Sequence, residues 1–293
     1  MTTPQTRTFL TLGPEGMAIS LDSARSYAAA SKAPETKRAY AREWASFVSW
    51  CETSGAGSLP CSPDVLACYV ASMADAGRKP AGIDLALAAV SGAHAAAGFD
   101  GRALRGSAAV RAVRAGVRRT VGVAQCQAAP ATGDLVRAML PHVAAGLGGA
   151  RDRAVLLVGF AGAFRRSELV GLEVGDLAFS ARGLAVTIRR SKTDQEGAGR
   201  VVALPFGSSA DACPVRALRA WLDAAAITAG PVFRAVDRWG TPGAVLAGRD
   251  VARTVQRLAR LAGLDAALFS GHSLRAGLAT SAALAGRSDR SIM

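Results

Sequence analysis

The stretch from Val121 to Thr132 (VGVAQCQAAPAT) has no amphipathic period and ends in a proline and a threonine. It divides a front half patterned only for helices from a back half that mixes helices with strands, so the chain cannot close around one continuous core. The reading is two domains: a flexible leader at residues 1–20, a helical domain at 21–121, a linker at 122–132 and a second domain at 133–293. Each half is long enough to bury a core without disulfide or metal staples. The expected fold class is mainly α with a small antiparallel β-sheet, an α+β arrangement.

In the front half, Tyr40, Trp44, Phe47, Val48 and Cys51 share one face of a helix that starts near Pro34 and Glu35. Ser62-Pro63-Asp64 supplies a cap, a first-position proline and a first-turn acid for a second helix, and Pro80 opens a third. A helix near Ser107 to Thr120 stacks Val110, Val113, Val117 and Val121, with Arg111, Arg114, Arg118 and Arg119 on or beside the neighbouring face. That row and the group Lys37, Arg38 and Arg42 read either as phosphate-backbone contacts or as solvated charged faces.

Charge favours the first reading. Thirty-five Lys and Arg against twenty-two Asp and Glu leave a formal charge of +13, the electrostatic footprint of a nucleic-acid binder. Arginine outnumbers lysine, which suits bidentate phosphate contacts. The five cysteines (Cys51, Cys61, Cys68, Cys126 and Cys213) are scattered, with no paired spacing and no histidine at zinc-like distance. They read as small apolar fillers in a reducing cytoplasm, and no cofactor or metal is expected. The N-terminus lacks a signal-peptide pattern, and the longest apolar run, Ala154 to Phe164, is too short to cross a bilayer, so a cytoplasmic, nucleoid-associated protein without a membrane partner is expected.

The second half carries the chemistry. Arg151 to Gly171 reads as a buried helix, Gly183 to Arg190 and Arg200 to Leu204 as two strands, and Pro214, Gly248 and Ser270 or Gly271 as helix starts. Arg165 has Glu168 at i+3 to orient it, whereas Arg166 has no acid at that offset. His272 and Arg275 are likewise three apart, and Lys192 lies at the tip of the ribbon between the strands. A phosphodiester attacked without metal gathers negative charge on its non-bridging oxygens, and two positioned guanidiniums stabilise that charge.

The ordered motifs GAFRRSELVGLEVGDL (Gly162 to Leu177), RSKT (Arg190 to Thr193) and GHSLRAGLAT (Gly271 to Thr280) resemble the tyrosine recombinases, the phage-type integrases and Xer-like resolvases. The resemblance runs from about Leu21 to Met293, with the Thr36 to Phe47 segment similar to that family's core-binding domain. It implies a two-domain clamp on double-stranded DNA, cleavage through a phosphotyrosyl link, and strand exchange in a homo-tetramer without metal or nucleotide. By matched position, Arg165 and Arg275 would hold the phosphate, Lys192 would be the general acid, His272 its partner in proton transfer, and Glu168 a support.

One expected residue is missing. No tyrosine follows Tyr69, and Tyr27, Tyr40 and Tyr69 all lie in the front half, where packing is their expected role. The reading is therefore a recombinase whose C-terminal segment with the nucleophile is not in this sequence, and which is inactive alone. The alternative is a DNA-binding relative that occupies or regulates a recombination site without cutting it.

Overall fold

The computed structural model describes residues 22–24, 26–27, 30–123, 127–189 and 199–287. The leader, Lys192 and Arg190 fall outside these residues. The chain separates into two compact units, Met1–Gln125 and Cys126–Met293.

The first unit contains helices α1 (Pro34–Thr53), α2 (Pro63–Asp75), α3 (Pro80–Ala96), α4 (Gly101–Arg105) and α5 (Ala108–Thr120). Three of them begin on proline, whose fixed φ suits the first turn and whose missing N–H costs nothing there. Ser62, Asp100 and Ser107 cap α2, α4 and α5 by accepting from backbone N–H groups. Phe47, Cys51, Leu66, Val70, Ile83, Leu87, Val90 and Val110 form a fully covered core. Inside it, His94 accepts from the Cys61 N–H at 3.0 Å through Nε2 and lies 2.9 Å from the Val90 carbonyl through Nδ1, which assigns the proton to Nδ1.

The second unit surrounds helix α7 (Leu147–Ala161), which packs against α9 (Pro214–Ala224) and α11 (Ser273–Leu284). Before it comes α6 (Gly133–Met139), and α10 (Gly248–Leu261) lies near both. Strands β1 (Leu177–Ser180), β2 (Gly183–Ile188) and β3 (Arg200–Pro205) form an antiparallel sheet in that order, with Val186 opposite both Leu177 and Val202. Leu184, Val186 and Ile188 turn inward together, following the two-residue period. A hairpin of β4 (Arg234–Val236) and β5 (Pro242–Val245), absent from the sequence reading, precedes α10. Its strands are three and four residues long, too short to show alternation.

The expected helix from Arg151 to Gly171 is two helices. α7 stops at Ala161, and the short α8 (Arg166–Val170) follows. Ala163 takes φ of 46° between them, and the Phe164 ring folds over Gly162, where a Cβ would lie 2.1 Å away. Burial of Phe164 to 2 % exposure offsets the strained turn. The last helix also begins later than expected, at Ser273. The Ser273 hydroxyl accepts from the Ser270 N–H at 2.9 Å, holding Ser270 to His272 as a turn before α11.

Candidate functional site

The broken helix sets the position of Arg165. With Phe164 anchored in the core, Arg165 becomes the residue that opens α8, in extended backbone. Its N–H donates to Glu168 Oε2 at 2.9 Å, and its guanidinium donates to Glu168 Oε1 at 2.7 Å. The i+3 spacing therefore produces a closed pair, with the Glu168 side chain only 1 % exposed. Arg200, the first residue of β3, donates to Glu168 Oε2 at 3.2 Å.

Arg275 reaches the same place from the first turn of α11, donating to the Ala163 carbonyl at 2.8 Å from 112 residues away in sequence. Packing explains the meeting. A Cβ at Gly159 on α7 would stand 2.7 Å from Leu274 Cδ1 and 3.1 Å from Leu169 Cδ2, so one bare patch of the buried helix receives a leucine from each arginine motif. Gly277 then lets α11 lie on the chain at Ala131, whose carbonyl oxygen would be 1.9 Å from a Cβ there. The Ala131 N–H donates to the Ser273 carbonyl at 2.9 Å in the same contact.

Three guanidiniums thus gather around one carboxylate. Burial pushes the Glu168 carboxyl up, but bonds from the Arg165 backbone and side chain, with the charges of Arg200 and Arg165, outweigh it and hold the group below the ordinary range. Arg275 is lowered by burial first and then by the charge of Arg165, with Arg200 adding to it and Glu168 opposing. Among the described residues, three guanidiniums against one carboxylate leave the cluster with excess positive charge suited to an oxyanion.

His272 is at the N-cap of α11 rather than within it, and its side chain is exposed. Its N–H donates to the Ser270 hydroxyl at 3.1 Å. The structure therefore brings Arg165, Glu168 and Arg275 together with His272 at the start of the helix that carries Arg275. Arg200 was missed by the sequence reading. Its signal was available in strand parity: it shares the face of Val202 and the buried Leu204, where a cation is out of place unless paired. Among the described residues no group of three His, Cys, Asp or Glu side chains could hold a metal ion.

In the first unit, Lys37, Arg38 and Arg42 are exposed on α1. Arg38 pairs with exposed Glu35 at 2.6 Å, and Arg42 lies 3.4 Å from Glu43, which is buried and held by Arg78 at 2.5 Å. The arginines of α5 divide. Arg114 forms a fork to Asp84 of α3 at 2.5 and 2.9 Å, and Arg118 joins at 3.3 Å, whereas Arg111 and Arg119 are exposed. The bond from Arg114 is the chief reason the Asp84 carboxyl lies below its ordinary range. Two members of the row thus also tie α5 to α3, a contact that no local pattern announces.

The model of the phage integrase family matches residues 132–293. An integrase/recombinase xerD homolog of Selenomonas ruminantium is 41 % identical over 258 residues, covering 86 % of this chain and 75 % of that protein. Among solved structures, the Tn1549 transposon integrase in complex with transposon right end DNA aligns with a TM-score of 0.57 and 14 % identity, over 92 % of this chain and 87 % of the other. A lambda integrase dimer bound to a COC' core site aligns at 0.52 and 16 % identity, over 93 % and 92 %. At those identities the solved structures speak to the fold.

Proposed function

The chain belongs to the phage integrase family, and from that premise we propose that it acts on double-stranded DNA as a site-specific recombinase, breaking and rejoining strands through a phosphotyrosyl intermediate. The observation that carries the proposal is the convergence of Arg165 and Arg275 on the Ala163 turn. In the proposed reaction their guanidiniums hold the non-bridging oxygens of the scissile phosphate and stabilise the charge that grows there. Glu168 and Arg200 keep Arg165 oriented, and His272 exchanges a proton at the phosphate. Lys192, outside the described residues, takes the role of acid for the departing 5′ oxygen. Lys37, Arg38, Arg42, Arg111 and Arg119 meet backbone phosphates from the first unit, with Arg114 and Arg118 doing so from within their pairing to Asp84. A homo-tetramer on DNA completes the proposal.

No tyrosine follows Tyr69. Tyr27, Tyr40 and Tyr69 belong to the first unit, and Tyr69 is 4 % exposed in its core. The second reading is that the chain occupies or regulates a recombination site without cutting it. A suicide duplex separates the two. A denaturation-resistant protein–DNA adduct supports cleavage, whereas salt-sensitive binding without an adduct supports occupancy. In a version that supplies the tyrosine, Arg165→Ala and Arg275→Ala are each expected to abolish the adduct while largely sparing binding. Adduct formation at the unsubstituted rate by either variant removes that residue from the site.

A further inference from the structure

Arg166, set aside above because it has no acid at i+3, occupies a slot between two glycines. A Cβ at Gly271 would stand 2.8 Å from its Cδ and 3.4 Å from its Cγ. One at Gly248 would stand 3.1 Å from its Nε and 3.3 Å from its Cδ. Neither glycine has the positive φ that would itself call for glycine, so what the two positions provide is space for the arginine stem. The residue remains exposed, and no ion pair to it occurs among the described residues.

The location of the slot gives it meaning. Arg166 follows Arg165 in the chain, Gly271 precedes His272, and Gly248 begins α10. A free arginine side chain loses rotamer freedom when it is fixed on a ligand. Here the stem is confined before any ligand arrives, while the guanidinium keeps its donors. Simple packing would account for the stem lying against the two glycines but not for a cation left without a partner among the described residues, beside a cluster that already carries excess positive charge there.

We infer that Arg166 is a phosphate-contacting residue that engages a DNA backbone phosphate beside the one held by Arg165 and Arg275. The inference rests on the recombinase reading. It adds to that reading a contact that fixes the register of the strand at the reacting centre, and Gly248 and Gly271 as the positions that aim it.

Salt dependence of binding tests this with the full chain and a fluorescently labelled duplex, without a tyrosine or a known target site. Each phosphate contact contributes about 0.9 to the slope of log affinity against log salt, so losing one makes the affinity drop between 50 and 200 mM salt about 3.5-fold smaller. Arg166→Gln is expected to reduce the slope by about one contact, and Arg166→Lys to retain it with weaker binding. Arg260→Gln, which removes a charge near the opposite end of α10, is expected to leave the slope unchanged. Should Arg166→Gln and the unsubstituted chain share one slope, or should Arg260→Gln lower it equally, the inference fails while the recombinase reading stands. Should the unsubstituted chain bind no duplex at any salt concentration, both fail.

Discussion

Replacing Glu168 by glutamine tests whether one buried carboxylate organises the arginine site. Three donors meet its two oxygens: the Arg165 N–H and Arg200 at Oε2, and the Arg165 guanidinium at Oε1. A glutamine side chain has one acceptor oxygen. In its better orientation it keeps both contacts at the Oε2 position and turns its NH2 toward the Arg165 guanidinium. One charge-assisted bond is then lost, at about 1.5–3 kcal/mol, and two donors face each other. Arg165 and Arg200 have side-chain exposures of 20 % and 41 %, so both can turn toward water. That relief keeps the loss below the roughly 3–5 kcal/mol of stripping a fully buried pair. The expected result is a fall of about 2–3 kcal/mol in unfolding free energy at neutral pH, measured by urea denaturation.

The pH dependence provides the second half of the same test. The folded carboxyl of Glu168 lies below its ordinary range, because the bonds and charges from Arg165 and Arg200 exceed the opposing effect of burial. A depressed folded pKa adds stability above the unfolded value, near about 4.3, and that stability is lost as pH falls through the folded value. Glutamine does not titrate, so the gap between the two proteins should narrow below about pH 4. Equal urea midpoints at neutral pH, or a gap that stays constant into acid, would refute the reasoning.

Two further substitutions probe the packing. Gly277→Ala puts a methyl 1.9 Å from the Ala131 oxygen and 2.4 Å from its carbonyl carbon, both backbone atoms that can move only by parting α11 from the chain at Ala131. It should cost about 1–3 kcal/mol or more and speed hydrogen exchange at the Ala131 amide; unchanged melting and exchange would contradict the contact. Asp84→Asn removes the carboxylate that holds Arg114 and Arg118 and should destabilise the first unit by about 1 kcal/mol, because the pair is partly exposed. The difference should disappear as pH falls through the depressed Asp84 value, and a difference that persists in acid would assign the effect to something other than charge.

Local signals account for much of what the structure contains. Proline at three helix starts and the serine cap at Ser62 were legible because their chemistry acts within one turn. The Arg165–Glu168 pair was legible for the same reason, since i+3 spacing brings two side chains together across a single turn. The interruption after Ala161 was not, because alanine and glycine at 161–163 carry no strong stop signal. What breaks the helix is the Phe164 ring closing over Gly162 inside a core contributed by other segments. Arg200 and Asp84 went unnoticed because each has its partner 30 or more residues away.

By itself, then, the sequence determined the division into a helical front and a mixed back half, the helix starts, and the two arginine motifs with their ordered resemblance to one family. The division and the helix starts follow from periodicity and capping, which depend on neighbours within a few residues, and the resemblance rests on the motifs themselves. Tertiary structure alone decided that the two motifs meet. Leu169 and Leu274 pack on the bare surface at Gly159, which carries Arg275 to the Ala163 carbonyl. It also decided that Arg200 joins Glu168, and that Arg114 is held by Asp84 while Arg111 is left exposed. Such outcomes depend on which surfaces bury one another, and a contact across a hundred residues leaves no period in the chain for a local reading to find.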